Sequence, residues 1–312
     1  MSDVVSFGSV NVDLVARLDQ TTVKKLAARY EWFPSPDETA AVESVPPEID
    51  EFVNRTMIGG KGSNQSVAAA RAGAATALCG RVGSDESEYG VLSTLAGRGV
   101  DVDHVELADA ETGKAYVFVD QAGENRIAII AGANGAVDSA YAERHRETVR
   151  DAECLLLQNE IPMSTMESLV GSLENEPDRP TVIYDPAPPV GAEPLLQYDA
   201  VDIITPNAYE YALLRDAIAD FEGTVIRKRG ADPAIIQQPD REAVSVTPPD
   251  VTPVDTTGAG DVFSGYLAAR LAAGDPLIGA VAVAITAASL ATTEEGAQRA
   301  IPSMDIVDDF ME

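Results

Sequence analysis

The chain has 312 residues, 45% of them hydrophobic, which is enough for one large α/β domain or two medium ones with a buried core. Its formal net charge is -29, with 5 lysines among 22 basic residues, which argues against nucleic acid and anionic membranes as partners. Molar salt shortens the Debye length to about 3 Å and so screens the repulsion among these negative charges. The composition therefore indicates adaptation to the cytoplasm of a high-salt organism; an ordinary acidic protein is the alternative.

The hydrophobic pattern predicts a mainly parallel sheet. Residues 4–13 predict a strand that runs into a polar turn, whereas residues 19–58, rich in proline and acids, predict short strands in a flap outside the main core. Further helices are expected over 63–72, 89–98, 139–150, 163–174, 208–217, 259–273, 276–292 and, at most, 305–312; further strands are expected over 76–82, 153–158, 181–185, 201–205 and 224–228, with a hairpin of 115–120 and 125–130. Continuous apolar strands alternating with helices indicate a sheet covered on both faces.

The scarce Cys and His residues exclude several chemistries. Cys79 and Cys154 lie in apolar runs and are predicted to be buried thiols in a reducing compartment. Because His104 and His145 are the chain's two histidines, a His-based triad or a zinc site is not expected. The N-terminus shows no secretion signal and no long apolar run, so the expected location is cytoplasmic.

Residues 255–261 (DTTGAGD) are the most informative motif in the chain. A Gly-Ala-Gly turn that opens a helix directs unpaired backbone N–H groups at one point, which suits a phosphate or a developing negative charge. Gly258, Ala259 and Gly260 are therefore predicted to form an anion hole. Asp261, in the first helical turn, is predicted to be the base for a hydroxyl that attacks phosphorus. A glycine turn capped by an aspartate is the structural alternative.

Residues 59–65 (GGKGSNQ) are the second informative motif. They do not match the nucleotide P-loop, because Gly62 follows Lys61 and no glycine lies five residues before Gly60. Two glycines followed by Asn64 suit close contact with a polyhydroxylated ligand. A glycine turn before a helix is the alternative.

Polar residues also follow other predicted strands. Asn11, Asp13 and Glu160 stand at carboxyl ends of strands, where parallel α/β sheets bind ligands. Asn207 and Glu210 are three residues apart at a helix start, where they are suited either to order water around Mg²⁺ or to form a capping box.

Together these motifs resemble the ribokinase-like (PfkB) family of carbohydrate kinases, over about residues 4–310. Further similar stretches are residues 123–126, 131–134, 157–160, 205–210 and 295–298. The resemblance implies a three-layer α/β/α fold with a mainly parallel central sheet. It also implies a single domain, 1–312, whose small β-sheet lid, roughly 14–58 and 113–130, closes over the sugar and pairs two subunits as a homodimer.

The resemblance further implies ATP-dependent phosphorylation of a sugar's primary hydroxyl, with D-ribose favoured and Asp261 as base. Sugar-binding residues would be Asn11, Asp13, Gly59, Gly60, Lys61, Asn64 and Glu160. Nucleotide-binding residues would be Asn207, Lys228, Arg229, Gly230, Asp232, Gly258 and Gly260. Asn207 and Glu210 would order Mg²⁺ through water. K⁺ would be an activator, held mostly by backbone oxygens of Asp255, Thr257, Ala291, Glu294, Gly296 and Ala300.

Three alternatives remain. A kinase for fructose, 2-keto-3-deoxygluconate or a nucleoside would share the same motifs. A catalytically silent sugar-binding protein could share the fold, although the intact residues 258–261 argue against it. A dinucleotide-dependent dehydrogenase would need a Gly-x-Gly-x-x-Gly turn after the first strand, which residues 8–13 lack.

Overall fold

The structure is a computed structural model, and it describes residues 2–36 and 38–312. In chain order the strands are β1 (Val4–Phe7), β2 (Asn11–Arg17), β3 (Thr39–Ala41), β4 (Arg55–Gly59), β5 (Thr76–Val82), β6 (Val100–Asp101), β7 (Val105–Leu107), β8 (Gly113–Val119), β9 (Asn125–Ile130), β10 (Cys154–Gln158), β11 (Thr181–Asp185), β12 (Ile203–Ile204), β13 (Thr224–Arg227), β14 (Ala234–Gln237) and β15 (Val244–Val246). The α-helices are α1 (Gln20–Arg29), α2 (Lys61–Arg71), α3 (Glu86–Tyr89), α4 (Val91–Gly97), α5 (Ser139–Arg144), α6 (Arg146–Arg150), α7 (Met163–Leu173), α8 (Ala208–Leu213), α9 (Arg215–Ala219), α10 (Ala259–Ala272), α11 (Leu277–Ala291) and α12 (Met304–Met311), and 3₁₀ turns occupy Pro47–Phe52, Gly132–Ala136 and Glu193–Gln197.

A ten-stranded sheet lies at the centre of the molecule, in the order β15-β14-β13-β12-β11-β10-β1-β5-β6, with β7 also paired to β5. The strands from β13 to β6 run parallel to their neighbours, and β14 and β15 are antiparallel at one edge. The predicted mainly parallel sheet is confirmed. Because the parallel strands share one direction, the polar residues that follow them gather at one edge of the sheet.

Helices cover both faces of this sheet and create two apolar cores. On β1, Val4 packs into one core and Val5 into the other, as expected for a strand buried on both faces. Helices α2, α10 and α11 pack on the first face, and α5 and α7 on the second. The predicted three-layer α/β/α architecture is confirmed. Cys79 and Cys154 are buried free thiols, as predicted, and burial raises the pKa of each to about 12.

A second, five-stranded sheet has the order β3-β9-β8-β2-β4. β2 pairs in parallel with β8 and antiparallel with β4. We refer to it as the lid sheet, although its closure over a ligand is still a prediction. Its strand β4 ends at Gly59, and α2 begins two residues later at Lys61, so the lid sheet is joined directly to the second glycine motif.

Two predictions near the N-terminus are wrong. Asn11 and Asp13 do not form a polar turn after the first strand, because they begin β2 of the lid sheet. The segment 19–58 contains more than short strands: Asp19 caps α1 by accepting a hydrogen bond from the backbone of Thr22 over 2.7 Å. Val23 and Leu26 of α1 are buried, so tertiary packing stabilises a helix that the acidic, proline-rich context obscured.

Other differences are at element boundaries. The helix predicted over 139–150 is interrupted at His145, and the one over 208–217 at Leu214. The helix predicted over 89–98 is α4, and Tyr89 ends the preceding turn, α3. The short strands β6, β7, β14 and β15 were not predicted, because two to four residues carry too little periodicity.

Candidate active site

The DTTGAGD motif forms the predicted turn at the start of α10. Gly258 is the residue before the helix and adopts φ 79°, a left-handed conformation that favours glycine. A Cβ at Gly258 would also lie 2.8 Å from Cβ of Ala297, so the turn packs closely on the loop at 294–300. Asp261 lies in the first turn of α10 and is 4% exposed. A buried carboxylate therefore stands beside the free N–H groups of a helix start.

Two adjacent residues of α2 hold the carboxylate of Asp261. Asn64 donates from Nδ2 to Oδ2 over 2.8 Å, and Gln65 donates from Nε2 to Oδ1 over 3.2 Å. The Nζ of Lys61 lies 4.0 Å from Oδ1. Because α2 begins at the GGKGSNQ motif, the two glycine motifs, about two hundred residues apart in sequence, meet at this carboxylate.

Lys61 is surrounded by carboxylates. Burial lowers the pKa of its ammonium group, but the negative charges around it more than offset this and leave the pKa raised. In order of effect, these charges belong to Asp261, Asp185, Glu160 and Glu210. Lys61 thus brings a stable positive charge to a site that several carboxylates share.

Glu160 connects the end of β10 to the same region. Its carboxylate accepts a hydrogen bond from the Ser9 hydroxyl and one from the backbone N–H of Lys61, the latter over 3.0 Å. Burial raises the pKa of Glu160, although the charge of Lys61 and these two hydrogen bonds act against the rise.

The carboxyl group of Asp13 is strongly perturbed as well. Burial, followed by the charges of Glu160 and Asp261, raises its pKa to about 7. Gly59 lies directly against this carboxylate, and any side chain there would overlap it. Asn11, two residues earlier, accepts a hydrogen bond at Oδ1 from Nδ2 of Asn134 over 2.7 Å. Gly60 adopts φ 91° at the entry to α2, which favours glycine there as well.

A cleft of about 630 Å³ opens on one side of Asp261. It is bordered by most of the predicted nucleotide residues, by both glycine motifs and by Asp185: Lys61, Asp185, Asn207, Glu210, Lys228, Arg229, Gly230, Gly258, Ala259, Gly260 and Asp261. Pro248, Val251, Ile285 and Ala288 give it an apolar wall. Phosphate-binding groups and an apolar wall in one cleft suit a nucleotide. Asp232 does not border the cleft and instead forms a 3.6 Å ion pair with Arg229.

Asn207 and Glu210 form the capping box of α8. The side chain of Asn207 accepts from the backbone N–H of Glu210 over 2.9 Å, and the carboxylate of Glu210 accepts from the backbone N–H of Asn207 over 2.7 Å. Burial, then the charge of Asp185, raises the pKa of Glu210, whereas Lys228 lowers it. The box is compatible with a magnesium site, because Mg²⁺ keeps several waters and uses one or two carboxylates with substrate phosphates. Asp185 and Glu210 both border the cleft.

The residues predicted to hold a monovalent cation lie on two neighbouring loops. Asp255 accepts from the backbone N–H of Thr257 over 2.9 Å and from that of Gly296 over 3.0 Å, which ties the loops together. Ala291 is buried, Glu294 is exposed, and the Gly296 carbonyl accepts from Ala300 N–H over 3.1 Å. Carbonyl and carboxylate oxygens are suitable ligands for a hard cation.

Several residues of this site were missed in the sequence. Asp185 accepts from Gln65 over 3.0 Å and from Lys228 over 3.2 Å. It ends β11, so the reasoning that selected Glu160 at a strand's carboxyl end would also have selected it. Gln65 and Asn134 lie in stretches that the sequence singles out, but, as for Ser9, their roles were not predicted, because their contacts depend on how distant elements pack.

The fold and this site together are those of a phosphotransferase that acts on an alcohol group. The family model described as pfkB family carbohydrate kinase matches residues 37–304, and the chain belongs to that family. It is 32% identical to the ribokinase of Bacillus subtilis, over 100% of both chains. Among solved structures it is similar to the ribokinase of Thermotoga maritima, with 28% identity, TM-score 0.80 and coverage of 100% of this chain and 99% of that one. The ribokinase of Arabidopsis thaliana, solved in complex with ribose and ATP, matches at 26% identity and TM-score 0.77, with coverage of 100% and 99%.

Membrane insertion through a helix finds no support in residues 2–36 and 38–312, where no helix combines the length and apolarity needed to cross a bilayer.

Proposed function

We propose that the protein transfers the γ-phosphoryl group of ATP to the primary hydroxyl of D-ribose, giving ribose 5-phosphate and ADP. The observation that carries the proposal is the position of Asp261. It stands between the nucleotide-sized cleft on one side and the cluster of Asp13, Glu160 and Asn64 on the other. The full-length similarity to ribokinases, including one solved with ribose and ATP, supports this substrate pair.

The sugar would bind where carboxylates and amides converge. Asp13 and Glu160 would accept hydrogen bonds from its hydroxyl groups, and Asn11 and Asn64 would add amide contacts. Gly59 and Gly60 would let the sugar approach the backbone closely, because neither has a side chain. Lys61, whose ammonium lies 4.0 Å from Asp261, would hold a positive charge beside the reacting oxygen.

In the reaction, Asp261 would take the proton of the sugar's primary hydroxyl as its oxygen attacks the γ-phosphorus. The bond from phosphorus to the bridging oxygen breaks, and ADP leaves with that oxygen. Backbone N–H groups of Gly258, Ala259 and Gly260 would stabilise the charge on the transferred group. Lys228 would assist, because its Nζ lies 3.2 Å from where a Cβ of Gly260 would be. Positioning and charge stabilisation would supply most of the rate.

Nucleotide and metal would occupy the large cleft. Arg229, Gly230 and the apolar wall would contact the nucleotide, with Asn207 at the phosphate end; Asp232 has a weaker claim, since it lies outside the cleft. Mg²⁺, which neutralises phosphate charge when bound, would be ordered through water by Asn207 and Glu210.

A monovalent cation would be held at the loops of Asp255 and Gly296, with backbone oxygens of Thr257, Ala291, Glu294 and Ala300 as further ligands. The hydrogen bond from Gly296 to Asp255 and the close packing of Gly258 on Ala297 support a link between this site and the anion hole. K⁺ is proposed, because a high-salt cytoplasm would supply it and the acidic surface suits such a cell.

The lid sheet would close over the sugar and exclude water, so that ATP is not hydrolysed. A homodimer formed through the lid has weaker support, because its face away from Asp13 is covered by the chain itself. On that face the rings of Phe118 and Phe33 have their centroids 4.9 Å apart, and the Tyr116 hydroxyl donates to Asp50 over 2.8 Å. Sedimentation of the protein at high salt would decide between a monomer and a dimer.

The test is an ADP-release assay with Mg·ATP in about 2 M KCl, a salt level chosen because it screens surface charge. Ribose, fructose, 2-keto-3-deoxygluconate and several nucleosides would be compared. The proposal expects the highest kcat/KM for ribose. A clear preference for another compound would keep the kinase chemistry and overturn the sugar assignment, and ligand binding without ADP release from any compound would indicate a silent sugar-binding protein.

A further inference from the structure

A continuous chain of hydrogen bonds connects Arg98, just after α4, to Asp261. Arg98 donates from Nη1 to Oε1 of Gln298. Gln298 donates from Nε2 to Oδ1 of Asn64 over 2.8 Å, and Asn64 donates from Nδ2 to Oδ2 of Asp261 over 2.8 Å. Arg98 and Gln298 border a second cavity of about 430 Å³. We refer to this chain of four residues as the relay.

The chemistry of its two ends gives the relay one direction. A guanidinium group has five N–H donors and no acceptor, and an ionised carboxylate has acceptors only. Gln298 must therefore turn its oxygen towards Arg98 and its nitrogen towards Asn64. Asn64 must then turn its oxygen towards Gln298 and its nitrogen towards Asp261.

Ser63 fixes the same direction independently. Its hydroxyl donates its one proton to the backbone carbonyls of Gly59, over 2.5 Å, and Gly60, over 3.1 Å, so its oxygen is left as an acceptor. Gln298 donates to that oxygen from Nε2 over 2.9 Å. A flipped Gln298 would place its carbonyl oxygen against the Ser63 oxygen, which is an acceptor. It would also place its amide nitrogen against the guanidinium of Arg98, which is a donor. Gln298 is 4% and Asn64 6% exposed, so bulk water offers neither amide an alternative partner.

We propose that Arg98 and Gln298 are positioning residues for phosphoryl transfer, which fix the amide of Asn64 so that it donates to Asp261 and aims the carboxylate at the acceptor hydroxyl. This inference rests on the proposed role of Asp261 as base. Two other contacts reach the carboxylate of Asp261: the Nζ of Lys61 lies 4.0 Å from it, and Gln65 connects it to Asp185. Neither contact substitutes for the relay, because each reaches the other carboxylate oxygen, Oδ1.

The sharpest test reverses the relay without changing its shape. In Gln298→Glu, the new carboxylate still accepts from Arg98 but also presents an acceptor to Asn64. Asn64 then turns its nitrogen towards position 298 and its oxygen towards Asp261. We expect kcat to fall about 10-fold to 100-fold, as when a partner that orients a reacting group is lost. The KM for ATP is expected to stay within about twofold, because neither Arg98 nor Gln298 borders the nucleotide cleft.

Substitutions at Arg98 separate orientation from packing. Arg98→Met removes the donor and should lower kcat, as Gln298→Glu does. Arg98→Lys keeps a group that only donates and should retain most of the wild-type kcat. Arg71→Met is the matched control, because it removes the same charge from an exposed arginine at the end of α2. It should leave kcat unchanged. Unchanged kcat in Gln298→Glu, or equal losses in Arg98→Met and Arg98→Lys, would overturn the proposal.

A readout that needs no turnover keeps the relay separate from the proposed function. In protein labelled with ¹⁵N-asparagine, the side-chain amide of Asn64 gives a signal that Asn64→Asp identifies by its loss. The relay predicts that this signal moves in Gln298→Glu and stays in place in Arg71→Met. A signal unchanged in Gln298→Glu would overturn the relay even in an active enzyme. Wild-type protein without kinase activity would refute the proposed function, and the amide signal would still decide the orientation of Asn64.

Discussion

The carboxylate of Asp13 lies directly against Cα of Gly59, the last residue of β4, and fills the space that a side chain of Gly59 would need. Asp13 belongs to the neighbouring strand β2, where it pairs with Met57. The lid sheet and the GGKGSNQ motif therefore share a boundary at these two residues. Position 59 requires glycine because the carboxylate beside it leaves no room for a side chain. The backbone of Gly59 is ordinary strand and would accept other residues.

Gly59→Ala is expected to weaken sugar binding more than the chemical step. The added methyl group would push the Asp13 carboxylate aside, whereas Asp261 and its donors would stay in place. We expect the KM for the sugar to rise about tenfold or more and kcat to change less, as for a lost hydrogen bond to a charged group. Steady-state kinetics with the sugar varied at saturating ATP measures both.

Gly279→Ala is the control for that substitution, because a Cβ at Gly279 meets no atom within 4 Å. It should leave both constants unchanged. A Gly59→Ala enzyme with normal KM would show that the Asp13 carboxylate does not bind the sugar.

The pKa of Asp13 predicts a pH-dependent sugar affinity. With a pKa of about 7, the carboxyl group is mostly protonated at about pH 6 and mostly ionised at about pH 8. If the ionised form accepts from sugar hydroxyls, the dissociation constant should be about tenfold higher at the lower pH. Calorimetric titration in the absence of ATP would measure it. In Asp13→Asn the affinity should be weaker and nearly independent of pH over this range.

The same group predicts how stability changes with pH in the absence of sugar. Because the folded pKa is raised from 3.8 to about 7, the contribution of Asp13 to stability is fully present below the unfolded pKa. It is lost as the pH rises through about 7. The melting temperature of the wild type should therefore fall between about pH 6 and about pH 8 relative to that of Asp13→Asn. A constant difference between the two proteins would contradict the raised pKa.

Salt is expected to act on stability and activity by separate routes. Screening of the net charge of -29 depends on ionic strength, so KCl and NaCl should raise the melting temperature about equally. If the proposed site at Asp255 prefers K⁺ to Na⁺, activity should be higher in KCl. Asp255→Asn should remove the difference in kcat between the two salts and keep their equal effect on melting. Equal kcat of the wild type in both salts would contradict a specific K⁺ site.

The sequence predicted those parts of the site that short motifs encode. The turn at Gly258 and the position of Asp261 follow from a Gly-Ala-Gly run before an apolar helix, and the structure has both where expected. The parallel sheet follows from apolar strands that alternate with helices. These signals are local, because each depends on backbone conformation and periodicity within about fifteen residues.

Other parts depend on contacts that no local pattern records. Gln298 reaches Asn64 across 234 positions, and Arg98 reaches Gln298 across 200. The sequence could not distinguish between two roles for Asn207 and Glu210, a capping box and the ordering of a metal, because one geometry serves both. Helix α1 was missed because burial of Val23 and Leu26 stabilises it, in a segment whose composition favours loops.

The central claim is that Asp261 is the base for phosphoryl transfer to a sugar, and Asp261→Asn tests it most directly. The substitution keeps the size of the side chain and removes its ability to take a proton. ADP release from Mg·ATP with D-ribose would be compared between the wild type and the variant, after melting curves show that both have the same melting temperature. The account predicts ribose-dependent ADP release by the wild type and a kcat about 10²-fold to 10⁴-fold lower in Asp261→Asn. Near-normal turnover by that variant would contradict the role of Asp261, and wild-type protein that releases no ADP with any sugar would contradict the kinase itself.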